Sequence, residues 1–317
     1  MSGFVRSSPP SPSSPRRSRC RRTGCDLPRQ RCPELSPIAP PFDASRIRSL
    51  LFVPMLQARL LAGAAGRGAD AVILDLEDAV APDAKDRARD ALAETARTLA
   101  EAGQCVLVRI NTHPDLIDAD LAAANDAAIA GIVLPKAERP DAVATIAGRL
   151  DHPALVPLVE TALGVINAHA IAGADEKVAA LAFGSEDFSL DMGIPPEEAG
   201  LAMPAQQVAI AARAAGKPAF GLPGSLAIID DGDRFTAIAR TARSIGMGGA
   251  LCVHPRQVTI VNAVFAPTPA EIEEAETVRA AYETARDTGR GAVAVDGRMI
   301  DQPVYRRALE TLARVRD

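Results

Sequence analysis

From about residue 48 onwards, short apolar runs recur along the chain, and each is followed by a stretch whose apolar positions fall three and four apart. The runs are Leu50–Pro54, Ala71–Asp75, Cys105–Asn111, Gly131–Lys136, Ala154–Glu160, Val178–Gly184, Pro218–Pro223 and Ala250–Pro255. Their length and their Val, Ile and Leu content predict strands buried on both faces. The intervening Ala-rich segments, such as Asp83–Ala100, Asp141–Leu150, Ala162–Ala172 and Asp231–Ile245, predict helices. Strand and helix in alternation imply parallel βαβ units. Eight such units imply closure into a (β/α)₈ TIM barrel. The competing architecture is an open doubly wound sheet, but no G-x-G-x-x-G follows the first run, so nothing marks a dinucleotide site. The last barrel helix is expected at about Pro269–Arg286, opened by Thr268-Pro269 and the acids Glu271, Glu273 and Glu274. A break at Asp287–Gly291 precedes Val293–Ile300, Asp301-Gln-Pro303 and a final helix to Val315. The predicted division is therefore a barrel over 46–288 and an extension over 289–317, packed beneath its own barrel or donated to a neighbour.

Composition changes this picture at the N-terminus. Residues 1–45 are rich in Arg, Pro and Ser and cannot bury enough apolar area to offset the cost of ordering them, so a disordered tail is expected. It reads as an organelle-targeting segment or as an upstream start that the working protein does not need. The first 48 residues carry ten Arg and three acids, so with a net charge of −5 overall the rest of the chain stands at −12. An acidic body argues against nucleic acid or an anionic membrane as partner. No apolar run approaches a membrane span, and the basic N-terminus lacks the apolar segment of a secretory signal. The expected compartment is the cytoplasm, with import through the tail as the alternative. Cys20, Cys25 and Cys32 lie in the tail without a zinc-ligand pattern, whereas Cys105 and Cys252 lie in apolar runs and read as buried thiols.

The chemistry is expected where barrels keep it, at the C-terminal ends of the strands. The second run leads into Asp75, Glu77 and Asp78, the third into Arg109 and Asn111, the fourth into Lys136, the fifth into Glu160, the sixth into Ser185-Glu186-Asp187, and the eighth into His254 and Gln257. One polar strand end is ordinary, but six on one rim form a site, because charges there are costly to desolvate unless paired or bound to an ion. Glu160 and Asp187 suit a hard divalent cation such as Mg²⁺ (or Mn²⁺), which takes one or two carboxylates and completes its shell with water and substrate oxygens. The bland alternatives are a salt bridge from Glu160 to Arg109 or Lys136 and a helix N-cap for Asp187. Arg109 is a fork donor for a substrate carboxylate, or an ion-pair partner of Asp75 or Glu77, or both. Lys136, the only one of four lysines to end a strand, would be the Schiff-base residue of a metal-independent aldolase. His254, before Pro255, reads first as a loop histidine with a satisfied hydrogen bond.

Taken together, Arg48-Ser-Leu-Leu-Phe-Val-Pro54, Asp75-Leu-Glu-Asp-Ala-Val80, Val108-Arg-Ile-Asn111, Leu134-Pro-Lys136, Glu160, Gly184-Ser-Glu-Asp187, Val253-His-Pro-Arg-Gln257 and Gly297-Arg-Met-Ile-Asp301 resemble, in this order, the citrate lyase β-subunit family. That family lies within the wider aldolase and citrate lyase superfamily, which includes malyl-CoA and citramalyl-CoA lyases. The likeness runs from about Arg46 to the C-terminus and implies a trimeric or hexameric (β/α)₈ barrel using Mg²⁺. It implies Glu160 and Asp187 as metal ligands and Arg109 as the substrate-binding group, with Asp75, Glu77 and Lys136 beside it. It also implies Asp301 as an acid–base residue supplied by a neighbouring subunit. The implied reaction cleaves a 3-hydroxyacyl-CoA into an acyl-CoA and a 2-oxo acid, or runs in reverse. The alternatives are a malyl-CoA-type thioesterase using the same metal site and a lyase-complex subunit acting on an acyl carrier. Two positions depart from the family pattern: Met55 stands where Gly is usual after the first-strand Pro, and Gly63 where a Lys is usual in the first helix, which removes a charge from the acyl-carrier side.

Overall fold

All eight apolar runs form strands, and all pair in parallel, in the order β7-β6-β5-β4-β3-β2-β1-β8. The structure is a computed structural model that describes residues 40–316. In chain order the first half comprises β1 (Ser49–Pro54), α1 (Ala58–Gly63), β2 (Ala71–Asp75), α2 (Lys85–Glu101), β3 (Cys105–Arg109), α3 (Pro114–Asn125), β4 (Gly131–Leu134), α4 (Pro140–Ala147), β5 (Ala154–Val159) and α5 (Ala162–Ala172). Then follow β6 (Leu181–Phe183), α6 (Ser185–Met192), α7 (Glu198–Ala214), β7 (Ala219–Gly221), α8 (Gly232–Ser244), β8 (Ala250–Cys252) and α9 (Pro255–Phe265). The ring closes between β7 and β8 through a parallel bridge from Phe220 to Gly249, supported by the Gly221 N–H donating to the Gly249 carbonyl at 3.0 Å. This closure excludes the open-sheet alternative. Residues 1–39, and with them nearly all of the expected disordered tail, lie outside the described residues.

The barrel interior follows from the two-residue period of strands. Ala71 and Ile73, Cys105 and Leu107, Ala154, Val156 and Leu158, and Ala180 and Ala182 share one interior cluster. Phe42, from the segment before β1, joins this cluster and meets Phe220 edge-on at 6.4 Å between ring centroids. The alternate residues of the same strands pack outward against the helices in a second, larger cluster. Continuing the inward rows by two residues gives Asp75, Arg109, Glu160 and Gly184. The same alternation that fills the core therefore aims these four positions at the open end.

Two differences from expectation concern the helices. Between β6 and β7 there are two, α6 and α7, because Gly193 takes a left-handed conformation (φ 65°) and ends α6 after Met192. The eighth barrel helix is α9, which packs on α8 and β1. The segment expected in that role is α10 (Pro269–Asp287), begun by a capping box between Thr268 and Glu271. It packs instead with the hairpin of β9 (Val293–Val295) and β10 (Arg298–Ile300) and with α11 (Gln302–Ala313). Ala275, Val278, Ile300 and Ala308 make a small core there, so by packing the extension begins at α10 rather than at residue 289.

Candidate active site

A cavity of about 480 Å³ opens among the C-terminal ends of the strands. Its polar wall includes Asp75, Arg109, Glu160 and Asp187, and its apolar wall includes Phe52, Leu158, Leu226 and Val253. Arg109 anchors the polar side. Its Nε and Nη2 donate to the two oxygens of Asp75 at 2.8 and 2.7 Å, and its Nη1 lies 3.1 Å from Glu77. The Phe52 ring lies under the guanidinium at 4.8 Å. Burial works against this charge, but the bonds to Asp75 and the charges of Glu77 and Asp78 outweigh it and raise the Arg109 pKa. Of five N–H donors, two bond the Asp75 carboxylate, while Nη1 is drawn to Glu77 Oε2 by charge without a hydrogen bond, so both terminal nitrogens keep N–H groups to meet a ligand carboxylate. The ion-pair reading of Arg109 holds, and the guanidinium so fixed still lines the cavity.

Asp75 and Glu77 act from behind. Both Asp75 oxygens are filled by Arg109 and by the Glu77 and Ala79 N–H groups. Glu77 also accepts from Lys136 Nζ at 2.7 Å. Burial pushes the Glu77 pKa up, against the pull of Arg109 and Lys136. The Lys136 ammonium, despite partial burial, is raised by its bond to Glu77. A Schiff-base lysine must be readily neutralised, so this ion pair counts against that chemistry. Lys136 contributes a second group as well. Its backbone takes a left-handed conformation (φ 51°) that turns its N–H onto Glu160 Oε1 at 2.7 Å.

Glu160 is 2% exposed, and its pKa is pushed up to about 8, first by burial and then by the neighbouring Asp187 carboxylate. The salt-bridge alternative for Glu160 therefore fails, since neither Arg109 nor Lys136 Nζ pairs with it. Asp187 lies in the first turn of α6, whose N-cap Gly184 has no side chain to bond, so Asp187 is not the cap. Gly184 makes room for Glu160: a Cβ there would stand 2.6 Å from Glu160 Oε2 and 2.8 Å from its Cβ. Burial and the nearby Asp187 charge make Glu160 resist ionisation, and a divalent cation held by the two carboxylates would offset that penalty. Among the described residues no group of three His, Cys, Asp or Glu side chains converges as a ligand set. That count does not suit structural zinc, but it fits a hard cation that takes two carboxylates and fills its shell with water and ligand oxygens.

Several residues matter more than their sequence signal suggested. Lys85 is buried at the start of α2, and its Nζ donates to the carbonyls of Leu76 and Glu77 and to Asn111 Oδ1 at 2.7, 2.6 and 2.8 Å. Asn111 is held in turn by Asp120, which pairs with Arg89. This buried chain fixes the loop that carries Glu77. Its only trace in the sequence is a lysine near a helix start. Glu186 turns away from Asp187 and accepts from Ser225 Oγ and the Leu226 N–H at 2.6 and 2.7 Å, fastening the loop after β7 over the cavity. Gln257 bonds to the loops after both β7 and β8, whereas His254 caps α9 by accepting from the Arg256 N–H, as its loop reading anticipated. Asp301 is the N-cap of α11, accepts from the Val304 N–H and does not line the cavity of its own chain. Met55 is buried in the outer core, and the Arg67 guanidinium lies across Gly63, 3.0 Å from where a Cβ would stand, so a cation remains beside that helix.

The family described as HpcH/HpaI aldolase/citrate lyase matches residues 48–255. A (3S)-malyl-CoA thioesterase of Cereibacter sphaeroides is 35% identical over 86% of this chain and 95% of its own length. A mitochondrial citramalyl-CoA lyase of Rattus norvegicus is 30% identical over 82% of this chain and 83% of its own. Among solved structures, the protein CitE of Mycobacterium tuberculosis in complex with magnesium, acetoacetate and coenzyme A superposes with a TM-score of 0.70 at 31% identity, covering 85% of this chain and 98% of that one.

Proposed function

The chain belongs to the HpcH/HpaI aldolase/citrate lyase family, and from that premise we propose that it is a Mg²⁺-dependent carbon–carbon lyase. Its substrate would be a 3-hydroxyacyl-CoA of the citryl, malyl or citramalyl type, split into an acyl-CoA and a 2-oxo acid or formed from them. The observation that carries this reading is the convergence of Glu160, Asp187 and Arg109 on one cavity with an apolar far wall. Glu160 and Asp187 would hold the cation, which when bound supplies a Lewis acid for negative charge developing on the substrate oxygen. Arg109 would grip the carboxylate of the oxo-acid portion with free N–H groups of its terminal nitrogens, held in place by its bonds to Asp75 and the charge of Glu77. Phe52, Leu158, Leu226 and Val253 would shield the acyl portion from water. In the cleavage direction a general base would take the 3-hydroxyl proton, the adjacent carbon–carbon bond would break, and the thioester enolate must regain a proton at carbon. Because Asp301 stands outside its own cavity, we assign that proton to Asp301 of a second copy, within a homotrimer or hexamer. Exposed Leu163, Ile166, Leu190, Met203 and Ile210 on the outer helices α5, α6 and α7 support such association. No described helix is long and apolar enough to cross a membrane, in keeping with a cytoplasmic or imported enzyme.

The thioesterase name of the Cereibacter relative favours a second reading, hydrolysis of a malyl-type thioester at the same site. One assay separates the two. Malyl-, citramalyl- and citryl-CoA are each incubated with Mg²⁺, and free CoA and 2-oxo acid are measured together. The lyase produces 2-oxo acid with no free CoA and stops with chelator. Free CoA with no 2-oxo acid would assign the thioesterase, and turnover indifferent to chelator would overturn both.

A further inference from the structure

A second cavity, of about 340 Å³, lies at the opposite face of the barrel, where the segment before β1, the starts of β7 and β8 and the end of α11 meet. We propose that it binds a small phosphoryl anion, such as inorganic phosphate, pyrophosphate or the phosphate end of a nucleotide. The wall carries Arg46, Arg48, Arg213, Arg314 and Arg316, with Glu310 as its one acid among the described residues. Arg213 is neutralised by Glu310 at 2.6 Å. Arg48 and Arg316 share a single carboxylate, that of Asp70, and Arg316 takes both of its oxygens at 2.5 and 3.2 Å. The Arg48 and Ser49 N–H groups take the same carboxylate at 2.7 and 3.3 Å. Asp70 is thereby saturated, and the Arg48 Nε is left 3.7 Å from it, buried and without a hydrogen-bond partner among the described residues.

Two partly buried guanidinium groups on one saturated carboxylate leave a positive charge uncompensated among the described residues, and an unmade hydrogen bond to a charged donor is costly. Burial and the facing Arg316 accordingly lower the Arg48 pKa. Arg46 and Arg314 add charge at the rim, and neither pairs with a carboxylate among the described residues. Lys217 contributes little, since its ammonium donates to the Ala172 carbonyl at 2.7 Å. A fork-rich, carboxylate-poor recess of this kind matches the tetrahedral oxygens of a phosphoryl group better than a monovalent halide. An anion seated there would tie the start of β1 to the end of α11, the helix whose first turn is capped by Asp301. The inference concerns the face remote from the proposed metal site and holds whether or not the lyase reading does.

The test is a thermal melt and a calorimetric titration of the full 317-residue chain, free of divalent metal, with inorganic phosphate and pyrophosphate against chloride at matched ionic strength. A dissociation constant of about 1 mM or tighter is expected, raising Tm by about 2 °C at about 10 mM phosphate. R48Q should abolish the phosphate-specific increment. Because Arg48 also supports Asp70, R46Q and R314Q serve as variants at exposed positions; each should weaken binding about threefold to tenfold and leave Tm in chloride unchanged. A shift equalled by chloride would reduce the effect to screening and overturn the proposal. So would phosphate binding that is undiminished in all three variants, or no binding up to about 10 mM.

Discussion

Replacing Gly184 by Ala tests the site through its tightest contact. The backbone at this position (φ −97°, ψ 96°) is one that any residue adopts, so the new methyl brings no conformational strain. It does collide, because its Cβ would lie 2.6 Å from Glu160 Oε2 and 2.8 Å from Glu160 Cβ. To restore an ordinary contact of about 3.4 Å, the Glu160 side chain must retreat by roughly 0.6–0.8 Å. It cannot simply swing aside, since Oε1 is pinned by the Lys136 N–H and the side chain is 2% exposed. Crowding of this size costs about 1–3 kcal/mol of stability, which a barrel of this size survives. Misplacing a catalytic group by nearly an ångström costs about 100-fold in rate, equivalent to about 2.7 kcal/mol of transition-state stabilisation. The assay is kcat/KM with the preferred acyl-CoA ester, alongside Mg²⁺ affinity and thermal melting. A folded G184A protein with about 1% of the activity and weakened Mg²⁺ binding is expected. Wild-type activity and affinity in a folded G184A protein would mean that Glu160 has no part in the site.

Four further predictions concern the same machinery. With the Glu160 pKa near 8 against a usual value of 4.5, protons compete with the cation; Mg²⁺ affinity by calorimetry should fall about tenfold per pH unit below 8, with proton release on binding, and a flat profile between pH 6 and 8 would contradict it. The same raised pKa makes the metal-free protein most stable below about pH 4.5 as far as this group is concerned; that contribution is lost as pH rises through 8, and saturating Mg²⁺ should restore Tm most at the alkaline end. K85M would leave the Glu77 carbonyl and Asn111 Oδ1 without this donor and the Leu76 carbonyl with only its bond from Asn111, so we expect a loss of about 2 kcal/mol or more in denaturant unfolding and a reduced kcat even when folded, whereas wild-type stability would show the buried network to be dispensable. Because Lys136 is ion-paired to Glu77, borohydride in the presence of substrate should leave activity intact, and irreversible inactivation with a mass adduct on Lys136 would revive the Schiff-base mechanism.

Much of this was readable from the chain because strands buried on both faces leave an unbroken apolar signature. All eight runs became strands, six of them shorter than the run: Val178, for example, makes only a lone bridge to Leu155 before β6 begins at Leu181. The polar residues at the ends of the runs, whether the last ladder residue (Asp75, Arg109) or just beyond it (Lys136, Glu160), form the rim, which is why these four stood out. Hidden from the sequence were features that depend on contacts across the barrel. The need for Gly184 exists only because Glu160 lies beside it on the next strand. Lys85 looks like an ordinary helix-start lysine until the fold brings Asn111 within 2.8 Å of it. The assignment of α10 to the extension rather than the barrel was likewise invisible, since an amphipathic helix does not declare which neighbour covers its apolar face. The extra break at Gly193 also went unread, although its left-handed conformation is the ordinary way a glycine ends a helix.

The most direct measurement is a calorimetric titration of Mg²⁺ into the wild-type chain and into E160Q and D187N at pH 8, with melting curves for each. A single site is expected in the wild type, with affinity lost by at least about 100-fold in both variants while each melts cooperatively at or above the wild-type metal-free temperature, because each substitution removes a buried like-charge repulsion. Undiminished Mg²⁺ binding in either folded variant would contradict a cation shared by these two carboxylates, and the proposed lyase chemistry would fall with it.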